Sequence, residues 1–170
     1  MTLSGAMRTL AGSLLAAEAG DLDLAAGSWI HNGQATASGS LSAHLSGALA
    51  TQKDSVLLAS GGRLDLTAES WGHAGQAGAA TGLKAVFSAD VDTGAGSLIH
   101  TGSGSLDLSA ANWRHAAEVN ASGGISADLS GSLTTASGSV LSAASGNMDG
   151  PPQAGPIAGR QVQAAISLRF

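Results

Sequence analysis

The sequence predicts an all-β protein, a parallel β-helix of about seven stacked coils, and three observations predict it. Trp29, Trp71 and Trp113, the three tryptophans of the chain, are 42 residues apart. The same step carries Leu22-Asp23-Leu24 onto Leu64-Asp65-Leu66 and Leu106-Asp107-Leu108, and His31 onto His73 and His115. Within each step, apolar residues recur at spacing two over short runs separated by Gly and Ser, which is strand periodicity. A fixed period of this length with landmarks in register marks an array of stacked units, in which function lies along an extended surface.

Taken in order from Ser55, one unit opens with the apolar pair Val56-Leu57 and the glycine pair Gly61-Gly62. An alternating strand through Leu64 and Leu66 follows, then a strand at Trp71 and a Gly-rich turn over residues 72–78. The second half carries Leu83, Val86-Phe87 and Val91, and closes at Gly94 and Gly96. Helical spacing cannot persist across glycines this frequent, because each costs about 1 kcal/mol against Ala in a helix interior. The unit also halves. Leu24, Leu45, Leu66, Phe87, Leu108 and Leu129 form a series at 21 residues, whereas matching Leu22 with Leu41 splits the unit as 19 plus 23. Either split makes two coils of about 20 residues per unit, and three short strands with their turns fill such a coil.

A lone coil cannot bury its few leucines, and its backbone groups are unpaired on both edges. Stacking pairs those edges at about 4.8 Å and aligns like side chains into ladders. Residues 2–146 then make roughly seven coils, on the order of 33 Å of rod. Residues 1–148 are read as the solenoid and 149–170 as a Pro/Gly linker with a terminal strand.

Composition agrees with a narrow layered core. The 170 residues include 25 glycines and no Tyr, with aromatics at 3% and charged residues at only 11%. The net charge of −5 offers no basic patch for a phosphate backbone, which argues against a nucleic-acid partner. Absent cysteine excludes disulfides and thiolate metal sites. The apolar stretch Thr9-Leu10-Ala11-Gly12-Ser13-Leu14-Leu15-Ala16-Ala17 has the look of a signal peptide ending at Ala17-Glu18-Ala19. The repeat argues otherwise, since Ser13-Leu14-Leu15 aligns at 42 with Ser55-Val56-Leu57, Ser97-Leu98-Ile99 and Ser139-Val140-Leu141.

The run Gly62-Arg63-Leu64-Asp65-Leu66-Thr67-Ala68-Glu69-Ser70-Trp71-Gly72-His73-Ala74-Gly75 resembles the haemagglutinin repeat of filamentous haemagglutinin-type adhesins. Residues 20–33 and 104–115 repeat it, with Trp where that family has Leu, and His31-Asn32-Gly33 keeps the family's Asn-Gly ending. The resemblance covers residues 2–146. It implies a right-handed parallel β-helix, secreted from a Gram-negative bacterium through a two-partner secretion pore in the outer membrane. It also implies a cell-surface role, as an adhesin meeting a receptor or glycan on a host or neighbouring cell, or as the stalk of a contact-dependent inhibition toxin. The secretion and toxin domains of that family have no recognisable counterpart in these residues.

The candidate chemistry is weighed against plain structural roles. His31, His73 and His115 suggest metal ligands, but equivalent residues two coils apart are separated by about 9.6 Å, far beyond a shared zinc with bonds near 2 Å. On the 21-residue register Gln52 and Gly94 stand between them and supply no ligand. The tryptophans read as a core ladder in preference to a sugar-stacking platform. Asp23, Asp65 and Asp107 alternate with core leucines and therefore point outward, as a solubility row in preference to the paired carboxylates of a polysaccharide-cleaving β-helix. No catalytic, cofactor-binding or metal residue is assigned, and neither a cofactor nor a small-molecule substrate is expected. The expected function is a non-catalytic rod, and the alternative is a carbohydrate-binding or polysaccharide-cleaving β-helix. The three prolines fall at 151, 152 and 156, in the linker. After them Val162, Ala164, Ile166, Leu168 and Phe170 alternate like the last strand of an outer-membrane barrel. One strand makes no barrel, and the preferred reading is a strand capping the last coil or unrelated sequence after a truncation.

Overall fold

The computed structural model describes residues 1–144 and the strand Ile166–Arg169, and among these residues there is no helix. The chain winds through seven coils of three strands. The first holds β1 (Ala6–Thr9), β2 (Leu14–Ala17) and β3 (Leu22–Ala26). The second holds β4 (Ser28–His31), β5 (Gln34–Ala37) and β6 (Leu41–Leu45). Next come β7 (Leu49–Thr51), β8 (Val56–Ala59) and β9 (Arg63–Ala68), then β10 (Trp71–His73), β11 (Gln76–Ala79) and β12 (Gly82–Phe87). The fifth coil is β13 (Val91–Thr93), β14 (Leu98–Thr101) and β15 (Leu106–Ala110). The sixth is β16 (Trp113–His115), β17 (Glu118–Ala121) and β18 (Ile125–Leu129), and the seventh is β19 (Leu133–Thr135), β20 (Val140–Ala143) and β21 (Ile166–Arg169).

Every third strand stacks on the one before. The result is three parallel seven-stranded sheets, led by β1, β2 and β3. Parallel neighbours need a long crossover, and here the other two strands of the coil supply it. The fold is therefore a β-solenoid of seven turns, as the repeat predicts. β21 pairs in parallel with β18, Ile125 against Ile166, in the place of a third strand for the last coil. The proline-bearing linker, Val162, Ala164 and Phe170 lie outside the described residues.

The register resolves the division of the unit. In the sheet led by β3, Leu22 pairs with Leu41 and Leu41 with Leu64, steps of 19 and 23. In the sheet led by β1 the steps from Met7 to Trp29 and from Trp29 to Leu49 are 22 and 20. The even series at 21 is not a ladder, and packing supplies the reason. One core row runs Leu24, Ala43, Leu66, Ala85, Leu108, Ala127. Beside it the second coil sets Leu45 against Ala26, the fourth Phe87 against Ala68, and the sixth Leu129 against Ala110. Each coil thus carries one large and one small side chain, reversed in the next, so the cross-section stays filled without overlap. All twelve are buried.

The difference in coil length is absorbed at the corners. Between β1 and β2 the chain makes a four-residue turn, Leu10 to Ser13, closed by the Ser13 amide donating to the Leu10 carbonyl at 3.0 Å. The third residue of this turn recurs as Gly12, Asp54, Gly96 and Gly138, with φ of 76°, 64°, 79° and 81°. A positive φ at that position is the mark of a type II turn and favours Gly. Asp54 alone holds the left-handed conformation with a side chain. Asp54→Gly is accordingly expected to stabilise the fold by about 0.5–1 kcal/mol, read as a higher urea midpoint with an unchanged slope.

Candidate functional site

The most organised polar feature is buried. Trp29, Trp71 and Trp113 lie in the core row Met7, Trp29, Leu49, Trp71, Val91, Trp113, Leu133. Two residues along each strand runs the parallel row Thr9, His31, Thr51, His73, Thr93, His115, Thr135. Spacing two places both rows on the inner face of the same sheet. The tryptophans and histidines are at most 2% exposed, which removes the rings from any ligand arriving from solvent. The tryptophans are a core ladder.

Threonine, not Gln52 or Gly94, stands between the histidines. The 20 and 22 steps of this sheet displace the 21-residue register by one position, and that one position exchanges Gln52 for Thr51 and Gly94 for Thr93. The hydroxyls complete a relay. Trp71 Nε1 donates to Thr51 Oγ1 at 3.1 Å, and Thr51 Oγ1 lies 2.7 Å from His73 Nδ1. His73 Nε2 lies 3.2 Å from the Leu98 carbonyl. A carbonyl only accepts, so Nε2 carries a proton, and in the neutral ring Nδ1 accepts from the threonine. Trp29, Thr9, His31 and the Val56 carbonyl repeat the chain at 3.3, 2.6 and 2.9 Å. Trp113, Thr93, His115 and the Val140 carbonyl repeat it at 3.2, 3.1 and 3.1 Å.

Burial depresses the basicity of His31 against the opposing pull of its bond to the Val56 carbonyl. It holds His73 at about 4, against the same pull from Leu98. With both ring nitrogens engaged, the histidines have no lone pair to offer a metal. Among the described residues no group of three or more His, Asp or Glu is placed to hold one. Thr51→Val keeps the shape but leaves the Trp71 N–H and His73 Nδ1 without their partner. Its expected cost is about 1–3 kcal/mol by chemical denaturation, whereas Thr36→Val on the outer face changes stability by less than about 0.5 kcal/mol.

Outside, the acidic residues fall in the row Asp23, Ser42, Asp65, Lys84, Asp107, Ser126. Asp65 and Asp107 are two coils apart, about 9.6 Å, with Lys84 between them in register. The separation is at the outer limit of about 9.5 Å for an inverting glycosidase and far from the about 5 Å of a retaining one. Arg63 Nε is 3.7 Å from Asp65 Oδ1 at the surface, a weak pair. A tighter cluster joins the fifth and sixth coils, where Arg114 donates to both oxygens of Asp92 at 2.9 and 3.0 Å and to Asp90 at 3.2 Å. Asn112 donates to Asp90 at 2.8 Å. The hydrogen bonds and charge of Asp92, then the charge of Asp90, raise the Arg114 pKa. On the third face the His100 ring lies across the bare backbone of Gly78, where a Cβ would collide with it.

The threonines are the residues that sequence reasoning overlooked. Their signal was present, since Thr9, Thr51, Thr93 and Thr135 follow the same 42-residue step as the tryptophans. Compared with protein-family models, with curated proteins and with solved structures, the chain matches none.

Proposed function

We propose that this chain is a structural rod segment of a secreted bacterial adhesin or contact-dependent toxin stalk, and that it is not an enzyme. The observation that carries the reading is the unbroken core. Three sheets hold one register through seven coils, and the ordered polar groups inside them are spent on holding coil to coil. Such a stack is rigid along its axis, can be extended by further units, and suits a molecule whose work is to hold something away from a surface. Its partners on this reading are an outer-membrane two-partner secretion pore and a receptor or glycan on a host or neighbouring cell. A low charge density and the absence of cysteine suit a chain exported unfolded that folds outside.

The test places the chain between a two-partner secretion domain and an epitope tag in a Gram-negative host that carries the matching pore. The expected result is export and a protease-resistant tagged rod at the cell surface. Retention of the fusion inside the cell, where a known rod segment is exported, would count against the proposal. A parallel screen of polysaccharides for cleavage is expected to show no turnover. Turnover abolished by Asp65→Asn would establish the carbohydrate-active alternative instead.

A further inference from the structure

The three relays do more than satisfy buried donors, because each one spans three coils. His31 takes the Thr9 hydroxyl from the first coil and donates to Val56 of the third. His73 takes Thr51 from that third coil and donates to Leu98 of the fifth. His115 takes Thr93 from the fifth and donates to Val140 of the seventh. Laid end to end, the relays run from the first coil to the last, each ending on a main-chain carbonyl, with the third and fifth coils shared between neighbouring links.

We propose that these linked relays form an acid-released clasp, which locks the coils in register at neutral pH and lets them loosen together as the buried imidazoles take up protons. A neutral ring accepts from Thr at Nδ1 and donates at Nε2. A protonated ring donates from both nitrogens, so the threonine must turn its hydrogen elsewhere. Thr51 and Thr93 each have a second acceptor, the carbonyls of Gly72 and Arg114, both at the longer distance of 3.3 Å. The protonated relay is therefore stereochemically accessible but weaker, and it leaves a positive charge in the core.

Among the described residues no carboxylate offsets the burial of His31 or His73. The charged or titratable groups on the packed elements are Arg8 on β1, Asp92 on β13, Arg114 on β16, His100 on β14 and Glu118 on β17. Lys53 and Asp54 lie at the corner between β7 and β8. Each of these is at least partly exposed, and Arg114 is already engaged by Asp90 and Asp92. The depressed basicity of His31 and His73, described above, has burial as its leading cause.

The sign follows from linkage. In the unfolded chain a histidine titrates near 6.5. Where its folded value is lower, the unfolded state binds more protons as the pH falls below about 6.5, and stability is lost from there down to the folded value. One such imidazole multiplies the unfolding equilibrium constant about tenfold per pH unit. His73, held at about 4, alone accounts for about 300-fold over its window.

The experiment is urea unfolding of the whole chain between pH 7.5 and 4.5, with the histidine ring protons followed by NMR. The expected result is an uptake of more than one proton on unfolding, together with His31 and His73 rings that titrate below the ordinary value. His73→Gln should reduce the uptake by about one proton. A flat unfolding midpoint from pH 6.5 to 4.5, or His31 and His73 titrating at the ordinary value, overturns the proposal. Should His73→Gln fail to fold, the NMR titration of the unaltered chain decides alone.

Discussion

Trp71→Ala is expected to destabilise the solenoid by about 3–5 kcal/mol, a large share of the about 5–15 kcal/mol that holds an ordinary domain. Three losses coincide there. The indole is 1% exposed, so its removal leaves a cavity in the middle coil. It stacks on Phe87 at a ring separation of 5.6 Å, a contact specific to this coil among the three tryptophans. Its Nε1 also anchors the relay through Thr51, and truncation deprives that hydroxyl of its donor. Because coils contact only their neighbours, the damage should be local. Hydrogen exchange is expected to quicken from β7 to β13 while the sixth coil stays protected. Trp71→Leu, which restores an aliphatic side chain between Leu49 and Val91 of the neighbouring coils, should recover part of the loss. Unfolding midpoints within about 0.5 kcal/mol of the unaltered chain would show that the tryptophan ladder is not what holds the coils.

Gly104→Val is expected to cost more than about 3 kcal/mol, for a reason confined to the backbone. A Cβ at Gly104 would run into the carbonyl oxygen of Thr81 and lie 2.6 Å from its carbon and 3.0 Å from Gly82 Cα. Those atoms belong to the preceding coil, at the corner leading into its third strand, and no rotamer change can move them. Gly62 occupies the equivalent corner one unit earlier, where a Cβ would sit 2.6 Å from the Ser40 amide nitrogen. The matched control is Gly72→Ala, since nothing lies within 4 Å of a Cβ at Gly72. That substitution should be neutral or stabilising by up to about 1 kcal/mol, as expected for Ala replacing Gly in a strand. Equal effects at the two sites would mean that corner packing does not set how closely coils approach.

The architecture was largely legible because its signals are repeated in register. The tryptophan step, the Leu-Asp-Leu copies and the glycine corners each point to stacked coils, and the structure places them in three parallel sheets. The split of the unit was harder to read. Leucine or phenylalanine does recur every 21 residues from Leu24 to Leu129, yet Leu24 faces Ala43 and Leu45 faces Ala26. The choice between splits depends on volumes across two neighbouring rows, which a single periodicity does not contain. The same one-residue error hid the threonines, because the residues beside them in sequence, Gln52 and Gly94, looked chemically inert. The histidines were read as a structural or surface row from their spacing and from the residues thought to lie between them, and their bonding partners, the threonines, were not among those residues.

The alternation of large and small rows has a consequence for how such a chain can change length. Excising one coil would bring like against like, with Leu24 over Leu66 in the core and Trp over Trp or Thr over Thr beside it. The mismatch would run through all of these alternating rows at once, although the row Leu22, Leu41, Leu64, Leu83, Leu106, Ile125 is large in every coil. Excising or inserting 42 residues leaves every contact of the same kind as before. Growth and shrinkage are therefore quantised in pairs of coils, each pair adding about 9.6 Å, and a recombination event that respects any shorter spacing yields a chain that cannot stack across the join.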